Sequence, residues 1–290
     1  MFKYVFVIIN IYNTKFFMKG EIIMFYDYHM HCNFSPDSKT PIEDMIESSI
    51  KLGLKEICFT EHIDYSVIIN GIETDIDVDY KDYFKKLDYF KKTYKDKIII
   101  KKGIEMGLQN HVLDKCIDDI INNDFDFVIA SIHTVDKHEL IRKNFYKNKT
   151  QIEAYRQYYE ILYDMIKKFK NYSVLGHIDI VKRYGDLNNI IDDKVFSDEI
   201  DEILKMAIYD GKGIEVNTSC FRYKLPDLTP SSYILERYKE LGGEIITTGS
   251  DSHNPAQVAH EFKKVYSMLQ EMGYKYICTF DKMRPNFIKL

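Results

Sequence analysis

With 290 residues, 45% hydrophobic and 29% charged, the chain can bury a full core as one large domain, and a single α/β barrel matches that size. Its net charge of -5 leaves no basic footprint for a nucleic-acid partner. Five cysteines (Cys32, Cys58, Cys116, Cys220, Cys278) are odd in number and form no CxxC pair, which argues against a disulfide scaffold and for a reduced, cytoplasmic protein.

The stretch from Phe2 to Phe17 is apolar and aromatic but is broken by Asn10, Asn13, Thr14 and Lys15. It is too short for a membrane span, and no small-residue cleavage site follows. Met24 stands directly before Phe25-Tyr26-Asp27-Tyr28-His29. Residues 1–23 are therefore expected to be a non-native or disordered leader with translation starting at Met24, a weak membrane-surface anchor being the alternative, and residues 24–290 to form the functional domain. From there apolar runs alternate with helical periodicity. Strands are expected at 25–29, 56–60, 98–103, 127–132, 173–176, 213–217 and 244–248, and helices at 41–52, 80–94, 152–169, 198–209, 231–241 and 256–272, with a final outer strand at 274–279. Thr40 before Pro41 reads as an N-cap with proline at the first helical position, and Gly53 and Gly211 read as helix stops.

Repeated strand–helix units without a long linker predict a parallel α/β fold. No Gly-rich loop follows the first strand, which disfavours a dinucleotide-binding sheet. A TIM-like (β/α)7 barrel, single domain, is the expected fold, because only a ring of parallel strands brings their C-terminal ends to one mouth.

Six of the nine histidines fall in motifs that also hold carboxylates or end apolar runs: Asp27-Tyr28-His29-Met30-His31, Thr60-Glu61-His62, Ser131-Ile132-His133, Gly176-His177-Ile178-Asp179 and Gly249-Ser250-Asp251-Ser252-His253, joined by Gly103-Ile104-Glu105. Imidazole and carboxylate together are the donor set of a divalent metal site. Side chains two apart on a strand share a face, so His29 and His31 converge, as do His177 with Asp179 and Asp251 with His253. One such pair alone is weak, and a satisfied structural role would be the safer reading of any single histidine. His111, His138 and His260 lack a matching motif and read as surface or packing residues. Six of the 40 basic residues are arginine. Arg183 and Arg222 follow strand-end motifs, and a guanidinium suits bidentate phosphate binding.

The order of these motifs, with Ser35-Pro36-Asp37 behind His31, resembles the PHP (polymerase and histidinol phosphatase) family, and within it the monofunctional histidinol-phosphatase branch. The resemblance runs from about Met24 to the C-terminus. It implies a distorted seven-stranded barrel with three divalent ions (zinc, manganese or iron). His29, His31, Glu105 and Asp251 would hold the first ion. Glu105 would bridge to a second, completed by His133 and His177, and Asp37, His62 and His253 would hold the third. Asp37 stands where many relatives carry histidine. Arg183 and Arg222 would clamp the substrate phosphate.

The implied reaction is hydrolysis of L-histidinol phosphate, a phosphoric monoester, in histidine biosynthesis, by a metal-bridging hydroxide attacking phosphorus in line. Asp179, His253 and a metal-bound water are all candidate proton donors to the leaving alkoxide. Glu61 and Asp64 are candidate acidic groups for the product's imidazole and ammonium. Two other readings are weaker: a phosphodiesterase or nuclease would need clustered basic and aromatic residues at the mouth, and a non-catalytic metal module would have lost ligands. The expected partner is a small phosphate ester, with no nucleic acid and no membrane.

Overall fold

Seven parallel strands lie side by side in chain order: β1 (Tyr26–Met30), β2 (Glu56–Ile69), β3 (Ile99–Gly107), β4 (Phe127–Ser131), β5 (Val174–Leu175), β6 (Gly213–Asn217) and β7 (Ile246–Gly249). The computed structural model describes the backbone of residues 16–18 and 21–290, and side chains from residue 24. Most of the expected leader therefore lies outside the described residues; of it, Phe16–Met18 pairs antiparallel with Glu21–Ile23.

The last strand curls back on the first. The Asp251 amide donates to the His29 carbonyl at 2.7 Å and the His31 amide to the Ser252 carbonyl at 2.8 Å, so the ring is nearly closed at its C-terminal end. All five residues of β4 are buried, as strands covered on both faces require. The covering helices carry one apolar stripe each: Ile42–Lys51 buries Ile42, Met45, Ile46 and Ser49, the i, i+3, i+4, i+7 spacing of an amphipathic helix. The helix Gln151–Lys168 starts at a capping box between Thr150 and Glu153. Among the described residues no helix is long and apolar enough to cross a membrane.

Four local expectations change, the first at 256–272, where the helix begins only at Phe262 and ends at Glu271. The helix after Pro41 has Pro41 itself at the N-cap, with no side-chain cap; the Thr40 hydroxyl instead donates to the His253 carbonyl at 3.0 Å. An unexpected helix, Leu113–Asn122, buries Leu113, Cys116 and Ile120; its short stripe is diluted by aspartates. β2 runs well past residue 60 and turns at Asn70-Gly71 (φ 53° and 82°) into an antiparallel partner, Ile72–Ile76. Both turn residues occupy the left-handed region that Asn-Gly hairpins use. Gly53 and Gly211, at φ 78° and 67°, end helices as expected. The outer strand is Tyr276–Asp281, paired antiparallel with Arg284–Lys289.

Candidate metal centre

Alternation along β1 aims Asp27 and His29 into the barrel and Tyr28 outward, where its ring packs edge-on against Phe127. His29 and His31 are fully buried and their Nε2 atoms lie 3.1 Å apart. Glu105, also fully buried, extends from β3 between two sets of ligands. Its Oε2 lies 3.1 Å from His29 Nε2, 3.6 Å from His31 Nε2 and 3.1 Å from His62 Nδ1. Its Oε1 lies 3.0 Å from His133 Nε2 and 2.8 Å from His177 Nε2. Asp251 Oδ1 stands 3.7 Å from His31 Nε2. At the rim, Asp37 Oδ2 stands 3.0 Å from His253 Nε2 and 3.4 Å from His62 Nε2. The rings of His62 and His253 both stack against His31, at centroid distances of 4.2 and 4.4 Å, and lie 5.9 Å from each other.

The outer hydrogen bonds set the tautomers. His29 Nδ1–H donates to Glu215 Oε1 at 2.6 Å, His133 Nδ1–H to Asp64 Oδ1 at 3.0 Å, and His253 Nδ1–H to the Asp251 carbonyl at 3.1 Å. Ser35 spends its hydroxyl proton on Glu61, so it accepts from His31 Nδ1–H at 3.2 Å. Each of these four rings is left with a lone pair on Nε2. Those lone pairs face one another or carboxylate oxygens. Acceptor against acceptor at about 3 Å repels unless a cation or a proton lies between, so the donor set fits divalent metal ions. Protons respond to the same pull. Burial alone would hold His29 down, but Glu105, Glu215 and Asp251 outweigh it and raise its pKa well above the usual imidazole range. Burial is likewise overcome at His62 and His133, which rise, and at Glu105, which falls, each by the opposite charges beside it. His31 goes the other way, lowered by burial and by its histidine neighbours.

Ligand atoms of four residue groups lie within 4.8 Å of one another: His29–His31–Asp251, His29–Glu105–His177, His31–His62–His253 and His62–Asp64–His133. Every expected ligand thus comes to one mouth. Asp64 joins them through His133, whereas Glu61 does not face the cavity. It is fully buried, accepts from the Cys32 amide at 3.1 Å and from Ser35, and burial pushes its carboxyl up to about 7. Asp27 is a second supporting carboxylate. It accepts from the Ser250 amide at 2.9 Å, from the Ser250 hydroxyl and from the Ala259 amide at 3.0 Å, which ties down the loop bearing Asp251.

The mouth opens into a cavity of about 480 Å³ lined by these ligands together with Arg183, Arg222, Tyr184 and Tyr223 and, on the far wall, Val67, Ile69, Ile76 and Ile141. Arg183 stacks over the Tyr223 ring at 4.0 Å, and Arg222 donates to the Ser250 and Asp251 carbonyls at 2.7 and 2.6 Å.

Asp179 does not share this cavity, and its expected convergence with His177 is corrected. β5 ends at Leu175 and the chain turns at His177 (φ 21°), so the two-residue spacing no longer lies on a strand. The Asp179 carboxylate accepts from Lys182 Nζ at 2.8 Å and from the Ser231 amide at 3.0 Å, in a buried cluster with Asp193. It is removed as a proton donor; His253 remains on the cavity wall.

Glu215, which sequence reasoning passed over, holds His29 and also accepts from the His177 amide at 3.0 Å. Glu215→Gln is expected to weaken metal binding by about 10- to 100-fold, the usual cost of losing a partner behind a ligating histidine. Zinc titration of the stripped variant checks it; unchanged affinity would show that His29 needs no such anchor.

The model of the PHP domain matches residues 27–219. The chain belongs to the PHP family. Curated relatives include the histidinol-phosphatase of Lactococcus lactis subsp. lactis, 34% identical over 260 residues that make up 89% of this chain and 95% of that one. A protein of Clostridium acetobutylicum named probable histidinol-phosphatase is 33% identical over 257 residues, 87% of this chain and 95% of that one. Among solved structures, the Lactococcus lactis histidinol phosphate phosphatase, complexed with zinc, L-histidinol and phosphate, superposes with a TM-score of 0.84 at 33% identity, covering 90% of this chain and 98% of that one. This PHP barrel is therefore the distorted seven-stranded one that the motif order implied.

Proposed function

We propose that this PHP protein hydrolyses L-histidinol phosphate to L-histidinol and phosphate, a step of histidine biosynthesis, as a metal-dependent phosphomonoesterase. The observation that carries the reading is the split carboxylate of Glu105, one oxygen turned to His29, His31 and His62 and the other to His133 and His177. The Lactococcus relatives named for this activity, similar over nearly their whole length, supply the substrate.

His29, His31, Glu105 and Asp251 would hold one ion, Glu105, His133 and His177 a second, and Asp37, His62 and His253 a third; zinc, manganese and iron all suit this mixed nitrogen and oxygen set. Bound there, such ions supply Lewis acidity toward phosphoryl oxygen and lower the pKa of water near them. The protein's own groups do the rest. Arg183 and Arg222, side by side on the cavity wall, take the phosphoryl oxygens by charge-assisted hydrogen bonds. His253 lines the opening with its Nε2 3.0 Å from Asp37 Oδ2; that lone pair would hold the third ion or, with that ion absent, carry a proton for the departing alkoxide. Val67, Ile69, Ile76 and the exposed Ile141 add apolar surface to the cavity lining. Five buried, unpaired thiols fit a reducing, cytoplasmic setting.

Phosphate release from L-histidinol phosphate by the zinc-loaded protein is expected to stop on chelation and return with added zinc. Undiminished turnover after complete removal of metal would contradict the reading.

A further inference from the structure

A chain of buried hydrogen bonds runs from the metal centre to the phosphate-binding wall. Glu215 Oε1 holds His29 Nδ1–H at 2.6 Å. Its Oε2 accepts from Asn217 Nδ2 at 3.2 Å. The same amide nitrogen lies 3.5 Å from Asp251 Oδ2. With its nitrogen between two carboxylates, Asn217 must turn its oxygen away from them, and that oxygen accepts both the Ser219 amide at 3.0 Å and the Ser219 hydroxyl. Having given its proton to Asn217, the Ser219 oxygen can only accept, and it accepts from Arg183 Nη2. Asn217 and Ser219 are fully buried, so no water substitutes for a missing partner at low cost.

We propose that Asn217 and Ser219 are positioning residues that fix the Arg183 guanidinium for the substrate phosphate and hold its aim in register with His29 and Asp251. Both residues lie where β6 passes into the short helix Ser219–Arg222. That junction also presents Arg222, so one strand end sets both cations of the wall. Arg183 carries up to five donors. One is spent on Ser219 and another on Tyr184, and stacking on Tyr223 fixes the plane of the group, which lines the cavity with donors to spare. The inference rests on the reading of Arg183 as a phosphate-binding group.

The test uses inorganic phosphate as a competitive inhibitor of the zinc-loaded enzyme, with bound zinc measured in parallel. Ser219→Ala is expected to raise the inhibition constant and KM on the order of tenfold, the usual scale for a hydrogen bond to a charged group, with kcat less affected and zinc content that of the wild type. In an Arg183→Ala background the same substitution is expected to add nothing, because residues acting through one group are non-additive. Asn217→Asp, which sets a third carboxylate against Glu215 and Asp251, is expected to raise the inhibition constant and also to lower bound zinc. An unchanged inhibition constant in Ser219→Ala overturns the proposal. So does loss of its zinc, or an equal further loss in the Arg183→Ala background. If Arg183→Ala alone leaves phosphate inhibition unchanged, the phosphate-binding role of Arg183 falls as well.

Discussion

Glu105→Ala is expected to lower kcat for L-histidinol phosphate on the order of a thousandfold and to reduce the zinc bound per chain. The size follows from the several kcal/mol of transition-state charge stabilisation that metal ions supply in such sites, each 1.4 kcal/mol being a factor of ten. Glu105 sets one oxygen against His29, His31 and His62 and the other against His133 and His177, and it is fully buried among these five histidines. Removing it takes away the negative charge that offsets the cations and leaves those rings facing each other across a void. The Ser131 hydroxyl, which donates to Glu105 Oε1 at 2.8 Å, then has no acceptor. Glu105→Gln keeps the volume but not the charge, so it should move zinc content and kcat in the same direction. Steady-state kinetics beside metal analysis checks both variants. Normal turnover with full zinc would show that the two halves of the centre do not need a shared carboxylate.

Arg183→Ala is expected to act on binding more than on turnover, with KM rising by roughly 10- to 100-fold, the scale of charge-assisted hydrogen bonds at 1.5–3 kcal/mol. Its guanidinium lies 3.7 Å from Asp251 Oδ2, next to the expected ligands and not among them, so the metal content should stay intact. Arg183→Lys should recover little, since an ammonium cannot stack on Tyr223 while presenting a planar pair of donors. Measuring KM and kcat separately decides the matter. An unchanged KM would remove Arg183 from the phosphate site.

The barrel was legible because each of its strands is an apolar run and each is followed by a motif of unlike chemistry. His29 and His31 gave away their common destination through the two-residue period of a strand. The same rule misled at His177 and Asp179, because β5 stops before the motif begins and a turn sends the two side chains apart. Glu215 was missed for another reason, having no histidine beside it in the sequence to mark it as part of a site, and Asp64, named as an acidic group for the product, was not read as the partner of His133. A signal did exist at Glu215, a carboxylate inside the apolar run Gly213–Asn217, where burial demands a partner. The hairpin beyond β2 was readable in Asn70-Gly71 between isoleucines. The helix Leu113–Asn122 left only a faint stripe, and its existence depends on the sheet it covers.

Comparing kcat/KM of the zinc-loaded protein for L-histidinol phosphate, an aryl phosphate and an aryl phosphodiester under one set of conditions tests the substrate assignment most directly. L-histidinol phosphate is expected to be turned over far faster than either aryl ester. Preference for the diester, or equal rates on the two monoesters, would contradict the assignment to histidinol phosphate while leaving the metal centre in place.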